Sequence, residues 1–386
     1  MLPSQRDAFD MPRDIAYLNA AAWTPLPRLS QEAGHAGVAR KGQPWKVAPD
    51  FPASVHDRAR RAAAALIGAD PADVAIISSV SYGVATAAKS LAVPRGSRVL
   101  VLAEDHSSPV LEWMTRAPEQ GFTVETVPQP ADGDWTAALL AAIARPGAPV
   151  SLASIASVHW SDGGAIALPE VAAALRAQGA ALLIDATHGA GVMRLDVKSL
   201  DPDFLIFPTY KWVLGPYGRA FIYIAKRHQD GIPLEQTGFG RRGVSAEHSP
   251  YMRDTGYVTG ARRFDMGERD HFITMEMAAI GMEMVGRWGA DAITERLAML
   301  TDRLAEGLGN SGALVPDARV RAPHILSLGF PNGMPDRLLE RLEAQGAYAA
   351  PRLGRLRISP HVYNDEEDVD RFVAAFRSVM SQHAAG

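Results

Sequence analysis

The stretch FPTYKWVLGPYG, residues 207–218, sets a single lysine, Lys211, among aromatic and aliphatic residues just after the apolar run DFLIF. An ammonium group is costly to take out of water unless it is paired or gives up its proton. Upstream, Asp185 closes a second apolar run, GAALLIDA. A lysine and an aspartate so placed read as a buried ion pair. They also have the chemistry that an aldehyde cofactor demands: an amine able to lose its proton and form a Schiff base, and a carboxylate that keeps a pyridinium nitrogen protonated. His106, after VLVLAED, offers a flat ring to cover such a cofactor. Ser81, in SSVSYGVATAAKSLA, lies where a strand hands over to a helix, and hydroxyls and backbone N–H groups at a helix N-terminus bind phosphate.

These residues share one kind of position. Strand-length apolar runs (DVAIISS, SRVLVLA, APVSLASIASV, GAALLIDA, DFLIFP, RAFIYIA) alternate with alanine-rich amphipathic stretches such as WTAALLAAIAR. That alternation predicts an α/β layer around a mostly parallel sheet. Ligands of open parallel sheets bind beyond the carboxyl ends of the strands. There the sequence puts Ser78, Ser79, Ser81, Asp105, His106, His159, Trp160, Asp185, His188 and Lys211, expected on one rim. Residues 233–263 read as a long Gly/Arg-rich irregular segment, followed by one long helical pattern from ITMEM to LAEGL and then by short strands and a last helix. The expected organisation is an N-terminal segment (1–15), a large domain (16–255) and a smaller C-terminal α+β domain (256–386).

Composition closes several routes. The net charge of −4 argues against nucleic acid or an anionic membrane as partner. The opening MLPSQRDAFDMPRD lacks the apolar core of a signal peptide, and no apolar run approaches the roughly 18 residues of a bilayer span. The expectation is a soluble cytoplasmic protein. No His/Asp cluster has metal-ligand spacing, so no metal is expected. The chain has no cysteine, which removes disulfides and thiolate chemistry. GFGRRG (Gly238, Gly240, Gly243) matches a dinucleotide fingerprint in letters, but PLEQT precedes it instead of a strand. Arg241 and Arg242 within it read either as bordering the site or as solvated surface.

Taken in order, YLNAAAWTPLP, EDHSSPVLEW, LLIDATHGAG, YKWVLGPYG and LRISPHVYNDEEDVDRF resemble the motifs of the class V aminotransferases, fold type I enzymes that use pyridoxal 5′-phosphate (PLP). The likeness runs from about Tyr17 to Phe372. It implies a large domain with a mostly parallel seven-stranded sheet between helices. It also implies a homodimer, with the segment Gly267-Glu268-Arg269 near the partner's site and Arg269 reaching across to it. Carried over position by position, Lys211 bonds the cofactor and moves the α-proton, Asp185 pairs with the ring nitrogen, and His106 stacks on the ring. His188 bonds the ring oxygen O3′. Val80, Ser81 and Tyr210 hold phosphate, and Arg357, in LRISPH, takes the substrate carboxylate. Trp113 and Trp212 read as packing.

Two departures matter. The loop GAYAAPRLGRLRIS carries no cysteine where desulfurases of the family keep a nucleophile, so persulfide chemistry is excluded. Trp160 stands where many relatives carry asparagine. The expected activity is that of an aminotransferase on a small α-amino acid, with β-elimination (including C–S cleavage) or epimerisation as alternatives that use the same residues. A lysine Schiff-base enzyme without cofactor, or a binding protein that keeps the fold, is the reading from another class.

Overall fold

The computed structural model describes residues 2–384 apart from 246 and 248, so the expected irregular segment is only partly covered. Two short strands, β1 (Ala16–Tyr17) and β12 (Ala347–Tyr348), tie the N-terminal segment to the C-terminal part. After helices α1 (Arg28–Lys41) and α2 (Phe51–Leu66) come β2 (Val74–Ile77), α3 (Val80–Ser90), β3 (Arg98–Leu102), α4 (Ser107–Gln120), β4 (Thr123–Val127) and α5 (Trp135–Ala144). Next follow β5 (Val150–Ala156), α6 (Leu168–Ala177), β6 (Ala181–Asp185), α7 (Val197–Leu200), β7 (Phe204–Pro208) and β8 (Ala220–Ile224).

The sheet order is β2-β8-β7-β6-β5-β3-β4, seven strands, with β8 antiparallel to both neighbours and the other pairings parallel. Strands β3, β7 and β8 are buried throughout, because helices cover both sheet faces. This is why their sequences are unbroken apolar runs instead of alternating ones. The chain winds from β3 outward to β4, then returns to build β5, β6 and β7 on the other side of β3. The reversal opens a crevice at the carboxyl ends, next to the ends of β3 and β5.

The segment read as irregular contains a hairpin, β9 (Arg241–Val244) with β10 (Met252–Tyr257). The long helical pattern is two helices, α8 (Phe272–Trp288) and α9 (Ala290–Leu308). They part at Gly289, whose φ of +81° is a left-handed conformation that glycine adopts without cost. Strands β11 (Leu326–Leu328), β13 (Ala350–Arg352) and β14 (Arg355–Ile358) form an antiparallel sheet, with α10 (Leu338–Glu343) and α11 (Glu366–Ala384) beside it.

Helix α8 buries Met275, Ala278 and Met282 in the core that α2, α5 and α6 build on one face of the main sheet. A second core joins α9, α11, β11 and β14 to Phe9 and Leu18 of the N-terminal segment. The lysine loop straddles the two: Val213 packs into the first core, Trp212 and Leu214 into the second. Each such side chain stabilises its position by roughly 1.5–3 kcal/mol on burial. Gly281 of α8 lets the helix close on that loop, since a Cβ there would meet the Val213 carbonyl oxygen at 2.5 Å. Among the described residues, no helix is long and apolar enough to cross a membrane.

Candidate active site

Lys211 follows β7 in a tight turn. Its carbonyl accepts from Leu214 N at 3.2 Å, and Gly215 N donates to Thr209 O at 2.7 Å. Leu214 adopts φ +60°, a strained value for a leucine, and the two cores around it hold it there. The Lys211 side chain is 9% exposed, and its Nζ lies 3.3 Å from His188 Nε2. Burial, then repulsion from Arg357, with Asp185 opposing, brings its pKa down to about 7. No carboxylate is hydrogen-bonded to this amine among the described residues.

Asp185 ends β6, the neighbour of β7, and is 5% exposed. Both the backbone N–H (2.9 Å) and the hydroxyl of Thr187 donate to its Oδ1, which fixes the carboxylate plane. His188, on the following turn, is buried, and its Nδ1 accepts from Trp212 Nε1 at 3.0 Å. Burial, with Lys211, Arg357, His324 and His106 nearby, holds it well below histidine's ordinary pKa.

His106 caps α4 with its ring: Nδ1 accepts from Ser108 N at 3.4 Å. The ring meets Trp160 edge-on at 5.8 Å, and Trp160 in turn donates to the Glu104 carbonyl at 2.6 Å. His106 is exposed as a residue, yet partial burial, with Asp185 opposing and Lys211, Arg352 and Arg357 adding repulsion, lowers its pKa. Asp105 accepts from His106 N at 2.7 Å through Oδ1, while its buried Oδ2 has no hydrogen-bond partner among the described residues. Burial raises this carboxyl to about 7, with His159 opposing and Asp185 adding to the rise.

These side chains enclose one cavity of about 310 Å³, lined also by Ser78, Ser79, Val80, Ser81, Tyr210 and Trp160. Nearly the whole expected rim is therefore brought together. His159 is the exception. It turns into the core, stacked on Trp135 at 4.7 Å, because its Nδ1 lies 3.1 Å from Asp162 and its Nε2 3.0 Å from the Ala103 carbonyl. Burial works against a charge on that ring, but Asp162 outweighs it and raises the pKa. Ser79 caps α3 by accepting from Tyr82 N at 3.1 Å, so the first turn of α3, with Val80 and Ser81, faces the cavity with free N–H groups. Tyr210 stacks on Tyr217 at 3.8 Å, and burial pushes its hydroxyl up to about 12.

Arg357, on β14, is 1% exposed and donates to the Trp160 carbonyl at 2.5 Å, and its Nε has no hydrogen-bond partner among the described residues. Burial, then Arg352, lowers its pKa to about 9. Arg269 turns inward onto Asp265 of its own chain. Arg242 pairs with Asp254 on an exposed hairpin, and Arg241 covers the Tyr257 ring at 3.8 Å, so neither lines the cavity.

Sequence reading missed Arg219. It lines the cavity, is buried, and donates to Thr274 Oγ1 at 2.9 Å and to the Gly218 carbonyl. Burial lowers its pKa. Pairing of Ile77 with Ala220 across β2 and β8 carries it to the end of β2, just ahead of α3, a placement no local sequence signal announces. Among the described residues, no group of three His, Asp or Glu is arranged to hold a metal ion.

The chain is 26% identical over 387 residues to isopenicillin N epimerase of Streptomyces clavuligerus, covering 95% of this chain and 96% of that one. It is 26% identical over 407 residues to kynureninase of Deinococcus radiodurans, covering 99% and 94%. Among solved structures, the apo cysteine desulfurase of Thermococcus onnurineus NA1 superposes with a TM-score of 0.84 at 20% identity, covering 99% of each chain. A C-DES mutant with glycine covalently linked to its PLP cofactor superposes with a TM-score of 0.86 at 21% identity, covering 97% of this chain and 99% of that one. At such identities the structures show the fold, a fold type I α/β architecture. The model of the aminotransferase class-V family matches residues 52–372, and the chain belongs to that family.

Proposed function

We propose that this chain is a PLP-dependent enzyme of the class V family acting on a small α-amino acid, with Lys211 as the covalent attachment point. One observation carries the reading. A buried amine with a pKa of about 7 and no bonded carboxylate shares a cavity with an aspartate held in a fixed plane. A structural ion pair would close that gap, whereas a site for an aldehyde cofactor keeps it open.

The residues present fit PLP. The free N–H groups at the start of α3, Ser81 and the Arg219 guanidinium would hold its phosphate, with Tyr210 bordering it. Asp185 would accept from the protonated ring nitrogen, and His106 would cover the ring. Bound PLP supplies an electron-withdrawing ring that lowers the cost of negative charge at the substrate's α-carbon. The chain supplies the rest. Near neutral pH a substantial fraction of Lys211 Nζ is unprotonated, which makes it a nucleophile and then a carrier for the α-proton. Arg357 does not itself line the cavity but is bonded to the carbonyl of Trp160, which does; it would bind the substrate carboxylate through donors that this carbonyl leaves uncommitted, and the Trp160 ring would form an apolar wall that excludes water.

Transamination is the favoured reaction, with β-elimination and epimerisation built on the same residues. Desulfuration through a cysteine persulfide is closed to a chain without cysteine. The proposal includes a homodimer. Trp23 (60% exposed) and Tyr217 (50%), which meet edge-to-face at 5.2 Å, would be partner-facing, as would the turn Gly267-Glu268-Arg269 through its exposed Glu268, the Arg269 side chain staying on Asp265. Sedimentation of an active monomer would remove that part.

The direct test is spectroscopic. Adding PLP to the purified protein should produce a band near ~420 nm that Lys211→Ala abolishes. A protein that stays colourless with excess PLP would reject the reading. A screen of amino acids for pyruvate, ammonia, oxo-acid and α-proton exchange then assigns the reaction.

A further inference from the structure

Trp212 reads from the sequence as packing, yet it makes a contact that packing does not require. Its Nε1–H donates to His188 Nδ1 at 3.0 Å, and both side chains are buried. An indole nitrogen only donates, so Nδ1 must offer its lone pair, and a neutral imidazole then carries its proton on Nε2. Nε2 is the atom 3.3 Å from Lys211 Nζ. An imidazolium is incompatible with this geometry, because its Nδ1–H would face the indole N–H.

The surroundings hold the two rings in place. His324 Nε2 lies 2.7 Å from the His188 carbonyl and meets Trp212 edge-on at 4.5 Å. His361 stacks on Trp212 at 5.4 Å and donates to its carbonyl at 3.2 Å, with its own Nδ1 occupied by the Val362 N–H. Burial keeps His324 and His361 neutral, at about 3 and about 4. The charged groups that act on His188 are Lys211 and Arg357, and both disfavour a proton on it.

We infer that Trp212 is a positioning residue: its indole N–H fixes His188 as the Nε2–H tautomer, so that His188 always presents a donor to Lys211 Nζ and, with PLP bound, to an anionic oxygen of its ring. A donor facing the amine is compatible only with unprotonated Lys211, so the indole favours the nucleophilic form of a lysine it does not touch. The tautomer and its effect on Lys211 stand on the chain alone. The role toward the ring oxygen rests on the PLP reading above.

The test uses the cofactor-free protein labelled with ¹⁵N-histidine, the His188 signals being identified by their loss in His188→Gln. Between about pH 6 and 8 the expected spectrum shows Nε2 protonated and Nδ1 bare. A protonated Nδ1, as the other tautomer or as imidazolium, overturns the inference, and this measurement needs no Trp212 variant to fold. In Trp212→Phe, the two tautomers should mix. The pH midpoint for capture of PLP, followed as the rate of colour formation, should rise by about one unit, the worth of one hydrogen bond. A folded Trp212→Phe protein with an unchanged tautomer and midpoint overturns the assignment as well. If PLP produces no colour in the unaltered protein, the cofactor reading falls, and the tautomer spectrum still decides this one.

Discussion

Two buried clusters of charge, one against the backbone of β2 and one just past the end of β7, are built in opposite ways. Around Asp265, four donors converge. Arg60 supplies two (3.0 and 2.8 Å), Ile76 N one at 2.8 Å, and Arg269 the fourth. Arg60 and Asp265 are 1% and 0% exposed, and each charge has its opposite in contact. Around Lys211 the arrangement is reversed. Its partner is a neutral histidine, and Arg357 beside it donates to a carbonyl. The carboxylate of that cluster, Asp185, is bonded to Thr187 instead of to either cation. Buried charge therefore does not mark a site in this protein. At Lys211 it is the missing counter-charge, together with the cavity beside it, that marks the site, because the desolvation is left for a ligand to offset.

Substitutions should separate the two clusters. Lys211→Ala should lower turnover roughly 10³-fold or more while leaving urea-unfolding stability unchanged or higher, since an uncompensated buried amine is removed. The same lysine gives the cofactor-free protein a pH signature. With a folded pKa of about 7 against an ordinary 10.5, the unfolded chain binds more protons between those values. Unfolding free energy should therefore climb with pH across that window, and the climb should be absent from Lys211→Ala. A flat profile in the unaltered protein would show that the amine is paired after all.

Asp265→Asn should do the converse, costing about 3–5 kcal/mol in urea titrations because the buried Arg60 guanidinium loses its counter-charge. A loss below 1 kcal/mol, judged against ~1 kcal/mol for an ordinary single substitution, would erase the contrast. A smaller effect is expected for Arg219→Gln, which should weaken PLP roughly 10- to 100-fold by fluorescence titration with little change in melting temperature. Unaltered affinity would place the phosphate elsewhere. Arg242→Ala, on the exposed hairpin, should leave affinity and melting temperature as they were. A measurable loss of affinity would mean that the hairpin meets the site in the assembled protein.

Strands β3, β5, β6, β7 and β8 were legible because a strand covered on both faces must be apolar along its length, and the reactive residues mark where each run ends. Asp185 and Lys211 stood out for that reason. The hairpin at 241–257 was not legible, since Arg, Gly and Asp in an exposed strand carry no apolar period. The helix break at Gly289 was hidden because the pattern continues on both sides of it with the same residue types. His159 was read onto the rim by position alone, but a carbonyl and Asp162 draw its ring into the core.

The order of apolar runs and strand-end residues determined the layer architecture and the motifs that identify the family, since burial and turn chemistry act over a few residues at a time. Which side chains meet was decided by the tertiary structure. Antiparallel β8 returns Arg219 to the end of β2, just ahead of α3, and the two cores that grip the lysine loop bring the Trp212 indole onto His188. Those contacts join residues far apart in the chain, where register and packing direction, not local preference, set the distance.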